Sequence, residues 1–194
     1  LWKHHGAGAE AEEILRVARE RGEEFLDHSG QTISSEWLMP KALETLRNAP
    51  RVYEAARYLV EGADWVTWHL TGKLARNACC AGYKGQYVKD HGWPSADFLR
   101  TVEPALADLF REKVQGPVLP AGRAVGGLNA EWADKTGLDA GTPVSAAIID
   151  AHAGVIGSGV TRPGKMCLVL GTSFCHLMLN EDPRVFKGLS GMVE

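Results

Sequence analysis

Apolar residues recur at helical spacing through the first two-thirds of the chain. In residues 9–25, Ile14, Val17, Ala18 and Arg21 share one face of a segment rich in Glu, Arg and Ala, which predicts an amphipathic helix. Ser34 and Ser35 offer an N-cap ahead of Glu36, Trp37, Leu38 and Met39, and Pro40 suits the first turn of a helix running on through Leu43 and Leu46. Val52, Ala55, Ala56, Leu59 and Val60 predict a further helical stripe broken at Gly62, and residues 64–70 predict another helix closing at Gly72. Periodicity is lost from Asn77 to Trp93, which reads as a loop or a short irregular strand. Ser95 then caps a helix over Phe98, Val102, Leu106 and Phe110, with Pro104 expected to bend or interrupt it. Pro117 and Pro120 mark a turn, and residues 129–136 form one short helix stopped by Gly137.

The last sixty or so residues change style. Residues 144–149 form an apolar run that reads as a buried strand ending at Asp150. Residues 151–160 are rich in Ala and Gly, as in a helix packed closely on a sheet. Residues 165–170 and 174–179 flank Gly171, Thr172 and Ser173, which predicts a hairpin. Strands with intervening helices give an α/β fold class.

Composition narrows the function. The 194 residues carry 21 Lys and Arg against 24 Asp and Glu, a formal net charge of −3. That balance lacks the basic footprint of a nucleic-acid binder. No apolar run approaches the ~18 residues of a membrane span. Cys79 and Cys80 are adjacent and Cys167 and Cys175 lie apart; neither spacing forms a zinc ribbon or a disulfide framework, so free thiols in a reducing compartment are expected. The abrupt ends, without an initiator Met or a closing helix, are expected of an excerpt from a longer chain.

Asp150 is the most suggestive residue. A carboxylate at the carboxyl end of a strand can accept a proton from a hydroxyl nucleophile or hold Mg²⁺, because ligands of open α/β sheets bind at that edge. Capping of the following helix is the other reading. His152 invites a metal-ligand reading, but Asp-x-His alone is not a site, and a core or supporting histidine is favoured. Gly171, Thr172 and Ser173 offer backbone N–H groups and hydroxyls of the kind that cradle phosphate oxygens. No Walker A pattern occurs, so a nucleotide site is not of the P-loop kind. Lys84 is a lone cation in a Gly- and Tyr-rich stretch, suited either to an oxygen-rich substrate or to solvent. The six Trp, at 2, 37, 65, 68, 93 and 132, are mostly expected in the core. Cys175 and His176 are adjacent on a strand and therefore face opposite ways, which rules them out as a catalytic pair.

The ordered set Leu1-Trp2-Lys3-His4-His5, Ser34-Ser35-Glu36-Trp37, Asn77 with Ala81-Gly82-Tyr83-Lys84, Ile149-Asp150-Ala151-His152-Ala153-Gly154 and Leu170-Gly171-Thr172-Ser173-Phe174-Cys175-His176 resembles the FGGY carbohydrate-kinase family, and within it the branch that acts on L-ribulose. The resemblance spans essentially the whole chain. It implies the actin-like ATPase, ribonuclease-H-like fold, present here in part, with residues 1–157 the latter part of the sugar-binding domain and 158–194 the start of the ATP domain. It implies Asp150 as catalytic base, Lys84 as a sugar contact, and Gly171, Thr172 and Ser173 as a phosphate-binding turn. Mg-ATP, a pentulose, the remainder of a parent chain and a cytoplasmic setting follow, with a homo-oligomer left open. No metal ligand is assigned, and no nucleic-acid or membrane partner is expected. Other FGGY kinases, acting on D-ribulose, ribitol or xylulose, and a catalytically silent sugar-binding module are the alternatives. The chain by itself is expected to be inactive and prone to aggregate.

Overall fold

The computed structural model describes residues 4–171 and 174–181. Helix α1 spans Gly8–Arg21 and buries Ile14, Val17 and Ala18, as their spacing predicts, before closing on Gly22 in the left-handed conformation (φ 69°). Arg21 leaves the apolar face to pair with Glu23 and Asp97, both at 2.8 Å. The predicted helical run to Phe25 ends early, and a separate 3₁₀ segment, Glu24–Ser29, carries Phe25 and Leu26 into the core. Helix α2 (Leu38–Asn48) has Pro40 in its first turn and buries Met39, Ala42 and Leu43. Ser34 and Ser35 do not cap it: Trp37 occupies that position, and the Ser34 hydroxyl donates to the Glu36 carboxylate.

The predicted stripe over residues 52–60 fails. Helix α3 covers only Pro50–Ala55, Tyr53 is its buried residue, and Val52 is 61% exposed. The backbone beyond it is engaged elsewhere. Leu59 N–H donates to the Lys113 carbonyl at 2.8 Å, Arg76 takes the Leu59 carbonyl at 2.9 Å, and Lys113 Nζ takes the Ala56 carbonyl at 2.7 Å. A longer helix would have to break all three.

Helix α4 (Gly62–Thr71) stops at Gly72 (φ 71°) as expected. Strand β1 (Arg76–Asn77) pairs in parallel with β2 (Val118–Leu119), between the two prolines read as a turn. Residues 78–85 then form helix α5 (Ala78–Gly85), where the sequence pattern gave a loop. Helix α6 (Ala96–Val102) is capped by the Ser95 hydroxyl, which accepts from Phe98 N–H at 3.0 Å, and it ends ahead of Pro104. A 3₁₀ turn (Pro104–Leu106) and a π turn (Leu109–Lys113) continue the path and bury Leu106 and Phe110. Helix α7 (Ala130–Thr136) runs from the Asn129 cap to Gly137. Strands β3 (Ala124–Gly127) and β4 (Pro143–Ser145) are antiparallel. Helix α8 (Asp150–Gly157) precedes the antiparallel hairpin of β5 (Met166–Leu170) and β6 (Phe174–Met178).

The main core joins α1, α2 and α6. Ile14, Met39, Leu43, Phe98, Leu99, Leu106 and Leu109 are all essentially inaccessible, and Phe25 meets Phe98 edge-on with ring centroids 5.2 Å apart. Among the described residues the strands form three two-stranded sheets, giving a mixed α/β architecture. The hairpin packs on α8, where Gly154 brings the helix backbone close to Val169; a Cβ at that glycine would stand 3.9 Å from the valine methyl.

Candidate active site

Two helices carry the candidate residues. Asn77 starts the first: its Oδ1 accepts from Cys80 N–H at 2.7 Å and caps α5. Asn77 is itself held by Asp64, whose Oδ1 accepts from Asn77 N–H at 2.9 Å and from Asn77 Nδ2 at 2.6 Å. Burial raises the Asp64 carboxyl above its ordinary range, while both Asn77 bonds and the charge of Arg76 act the other way. Burial also lowers the Arg76 guanidinium, against the opposing charges of Asp64, Glu61 and Tyr58. Its N–H groups bond the carbonyls of Leu59 and Gln115, each at 2.9 Å. This buried layer fixes the direction in which α5 leaves β1.

Lys84 is therefore a residue of a helical last turn. Its side chain is half-buried, with Nζ 3.6 Å from Glu61 Oε2. Tyr83, beside it, meets Trp37 edge-on at 6.0 Å. The tryptophans, mostly expected in the core, are mostly not buried there. Among those described, Trp37 is buried, Trp93 packs against the core and stacks on Phe110 at 4.7 Å, Trp68 and Trp132 are half-buried outside it, and Trp65 is 51% exposed on α4; Trp2 lies outside the described residues.

The strand expected to end at Asp150 is shorter than the apolar run. β4 stops at Ser145, Ala146 is buried, residues 147–149 continue without strand pairing, and Asp150 is the first residue of α8. β3 pairs with residues 143–145, and one further bond, from Ala146 N–H to the Arg123 carbonyl at 2.7 Å, ends the pairing of the run among the described residues. Asp150 is exposed, and its Oδ1 accepts from the following Ala151 N–H at 2.8 Å. A carboxylate in the first turn is also favoured by the helix dipole.

His152 links the two helices. Its Nδ1 lies 2.8 Å from Cys79 Sγ, and its ring meets Tyr83 edge-on at 5.8 Å. Burial lowers the imidazole below its ordinary value, with the Asp150 charge opposing, and burial raises the Cys79 thiol. The structure thus brings the helix of Lys84 and the helix of Asp150 together. Gly171 is exposed at the end of β5, on the hairpin that packs against α8, and Thr172 and Ser173 lie outside the described residues. Among the described residues, no cluster of three or more His, Cys, Asp or Glu is arranged to hold a metal, and no helix is long and apolar enough to cross a membrane.

Asp64 was not singled out in the sequence, and Asn77 and Cys79 stood there only in the family resemblance and as a free thiol, without a role at the site. The signal available was local: an Asn directly ahead of Ala78, Cys79, Cys80 and Ala81 is an N-cap in front of a four-residue apolar turn.

Residues 1–157 match the N-terminal domain of the FGGY family of carbohydrate kinases. The chain belongs to that family. It is 45% identical over all 194 residues to a ribulokinase of Bacillus licheniformis and 44% identical to one of Shouchella clausii, covering 35% of each relative. Among solved structures it is similar to a xylulose kinase from Rhodospirillum rubrum, with a TM-score of 0.71 and 26% identity over 94% of this chain and 36% of that one. The FGGY chain described here thus spans about a third of the length of the curated relatives it matches. Its likeness to FGGY kinase structures gives the actin-like ATPase fold, present in part, that the sequence motifs implied.

Proposed function

We propose that this chain is a segment of an ATP-dependent ribulokinase that phosphorylates the terminal hydroxyl of L-ribulose. The observation that carries the reading is the 45% identity to a ribulokinase over all 194 residues of this chain, across the segments that hold Lys84 and Asp150. In this reading residues 1–157 belong to the sugar domain, and 158–194 open the ATP domain.

The chemistry follows from the charge and placement of the two groups. Asp150, exposed at the start of α8, accepts the proton of the sugar hydroxyl as that oxygen attacks the γ-phosphorus of ATP. The bond from that phosphorus to the β-phosphate bridging oxygen breaks, and ADP leaves. Lys84 donates to sugar oxygens from the end of α5, where the Glu61 carboxylate steers its flexible side chain. Gly171, Thr172 and Ser173 supply N–H and O–H donors to phosphate oxygens. Mg²⁺ accompanies the nucleotide as part of the substrate and neutralises phosphate charge when bound. Much of the rate would come from positioning, since the γ-phosphoryl group needs little covalent help. A pentulose and ATP as substrates support a cytoplasmic setting in this reading.

The test is ADP release by the full-length protein that carries this segment, with Mg-ATP and L-ribulose, D-ribulose, ribitol, D-xylulose or no sugar. Turnover highest with L-ribulose supports the proposal. Preference for D-xylulose would move the protein to the neighbouring ketose kinases, and no sugar-dependent ADP release would leave a sugar-binding module without kinase activity.

A further inference from the structure

The two helices assigned to the reaction meet through few side chains. α8 packs chiefly on the β5–β6 hairpin, and among the described residues its polar links to α5 converge on Cys79, which meets both His152 and the backbone of Ile149, the residue ahead of Asp150. Cys79 and Tyr83 lie one helical turn apart, so they present one face of α5, and the imidazole rests against both. The bonded residues are 73 positions apart in sequence, so the contact ties two distant segments. Asp150 stands one residue short of His152's own neighbour, Ala151, at the start of the same helix, and Lys84 follows Tyr83 directly.

The protonation states follow from burial. His152 is pushed toward the neutral form and Cys79 toward the thiol. Thiol sulfur is a weak acceptor and a neutral imidazole nitrogen a good one, so across the 2.8 Å contact the S–H group donates to Nδ1 and the ring proton sits on Nε2. A nucleophilic Cys–His pair would need the thiolate and an open approach, whereas Cys79 is 5% exposed and held as thiol.

We propose that Cys79 and His152 form a positioning clamp: the S–H···Nδ1 bond fixes the start of α8 against α5 and so sets the separation between the Asp150 carboxylate and the Lys84 ammonium. The inference rests on the kinase reading of that site. It makes both clamp members positioning residues, since neither touches the reacting atoms. A misplacement of about 1 Å at a reacting group can cost ~10²-fold in rate.

The experiment compares Cys79→Ala, Cys79→Ser, His152→Leu and the Cys79→Ala/His152→Leu double variant in the full-length protein, with kcat expressed per folded molecule. Cys79→Ala and His152→Leu are expected to lower kcat by roughly 10- to 100-fold with the ATP KM unchanged. Cys79→Ser keeps a donor and recovers most of that loss. The double variant is no worse than the poorer single one, because both singles remove the same bond. Unchanged kcat in the single variants, additive losses, or a Cys79→Ser enzyme as impaired as Cys79→Ala each overturn the clamp while leaving the kinase reading intact. A wild-type protein silent with every sugar instead removes the kinase reading, and the clamp with it. Nitrogen-15 shifts of His152 give a check that needs no turnover: a protonated Nδ1 at neutral pH overturns the assigned bond.

Discussion

Asn77 reaches Asp64 twice, through its backbone N–H and its side-chain amide, while its own amide oxygen caps the helix that ends in Lys84. Both residues are buried, at 1% and 2% exposure. One side chain therefore connects a buried carboxylate to the orientation of a candidate substrate-binding helix. Removing it deletes a cap, worth ~0.5–2 kcal/mol, and a hydrogen bond to a charged group, worth ~1.5–3 kcal/mol. Asn77→Ala should lower the stability of the domain by about 2–5 kcal/mol, read from the shift in denaturant midpoint. Asn77→Asp should be worse than Asn77→Ala, because it sets a second carboxylate against Asp64. An Asn77→Asp protein as stable as wild type would show that the network does not bear on folding.

The roles proposed for Asp150 and Lys84 predict opposite kinetic signatures in the full-length protein. Asp150→Asn should leave sugar binding largely intact while kcat falls by at least the ~10²–10⁴-fold typical of a lost general base. Lys84→Ala should act mainly on the sugar KM, raising it several-fold or more. Calorimetric titration with L-ribulose separates the two. Near-normal turnover in Asp150→Asn removes it as the base, and unchanged sugar KM and kcat in Lys84→Ala return that residue to a surface role.

Cys80 predicts a loss of stability in alkali. Burial pushes its thiol up from the ordinary 9.0 to about 12, with the charge of Glu61 acting in the same direction. Below pH 9 both folded and unfolded states hold the proton, so the buried thiol costs nothing through ionisation. As pH rises above 9, the unfolded chain loses the proton and the folded one keeps it. Stability then falls, by of order 1 kcal/mol per pH unit until the folded thiol also ionises. Denaturation midpoints at pH 8 and pH 10.5 should differ more for wild type than for Cys80→Ala. Equal differences would mean that Cys80 ionises freely in the folded state.

How much of this was legible in the sequence depends on where the deciding contacts lie. Capping and stop signals carried the start of α6 and the ends of α7 and α4, because Ser95, Gly137 and Gly72 act within a turn of themselves. The hairpin and the small-residue helix beneath it were equally plain, since alternation and glycine content are local. The stripe over residues 52–60 was not: its backbone groups bond to Arg76 and Lys113, distant in the chain. α5 was hidden because Gly82 and Gly85 dilute its pattern and its stability comes from Asp64 through Asn77. Asp150 and Lys84 were picked out by residue type and family resemblance. The bond that joins their helices was invisible, because Cys79 and His152 become neighbours only in the fold.

The hairpin's outer face predicts self-association of the 194-residue chain. Met166, Leu168, Leu170, Phe174 and Met178 alternate with the half-buried residues that face α8, and they are 50–70% exposed. Large contiguous apolar patches of this kind mark contact surfaces or drive aggregation. Light scattering on the chain alone should show concentration-dependent association, reduced in Leu168→Glu/Leu170→Glu. A monodisperse monomer at high concentration would mean the face is tolerated in water.

Gln86 ends α5 in the left-handed conformation, φ 55°, a region that glycine and asparagine occupy more readily. Its side chain is 2% exposed, and neither its amide nitrogen nor its amide oxygen has a hydrogen-bond partner among the described residues. An unsatisfied buried polar group costs about 1–3 kcal/mol, whereas an apolar group of the same shape does not. Methionine matches glutamine in length and flexibility, so it can fill the same space without displacing neighbours. Gln86→Met should therefore raise stability, by about 1–3 kcal/mol if the amide is fully dry. Gln86→Ala, which also removes the unsatisfied amide but leaves a void, should gain less or lose stability. The comparison isolates the polar cost from the packing, because both variants keep the strained backbone. A Gln86→Met protein less stable than wild type would show that the amide is paired in solution and that its bonds help to hold the end of α5.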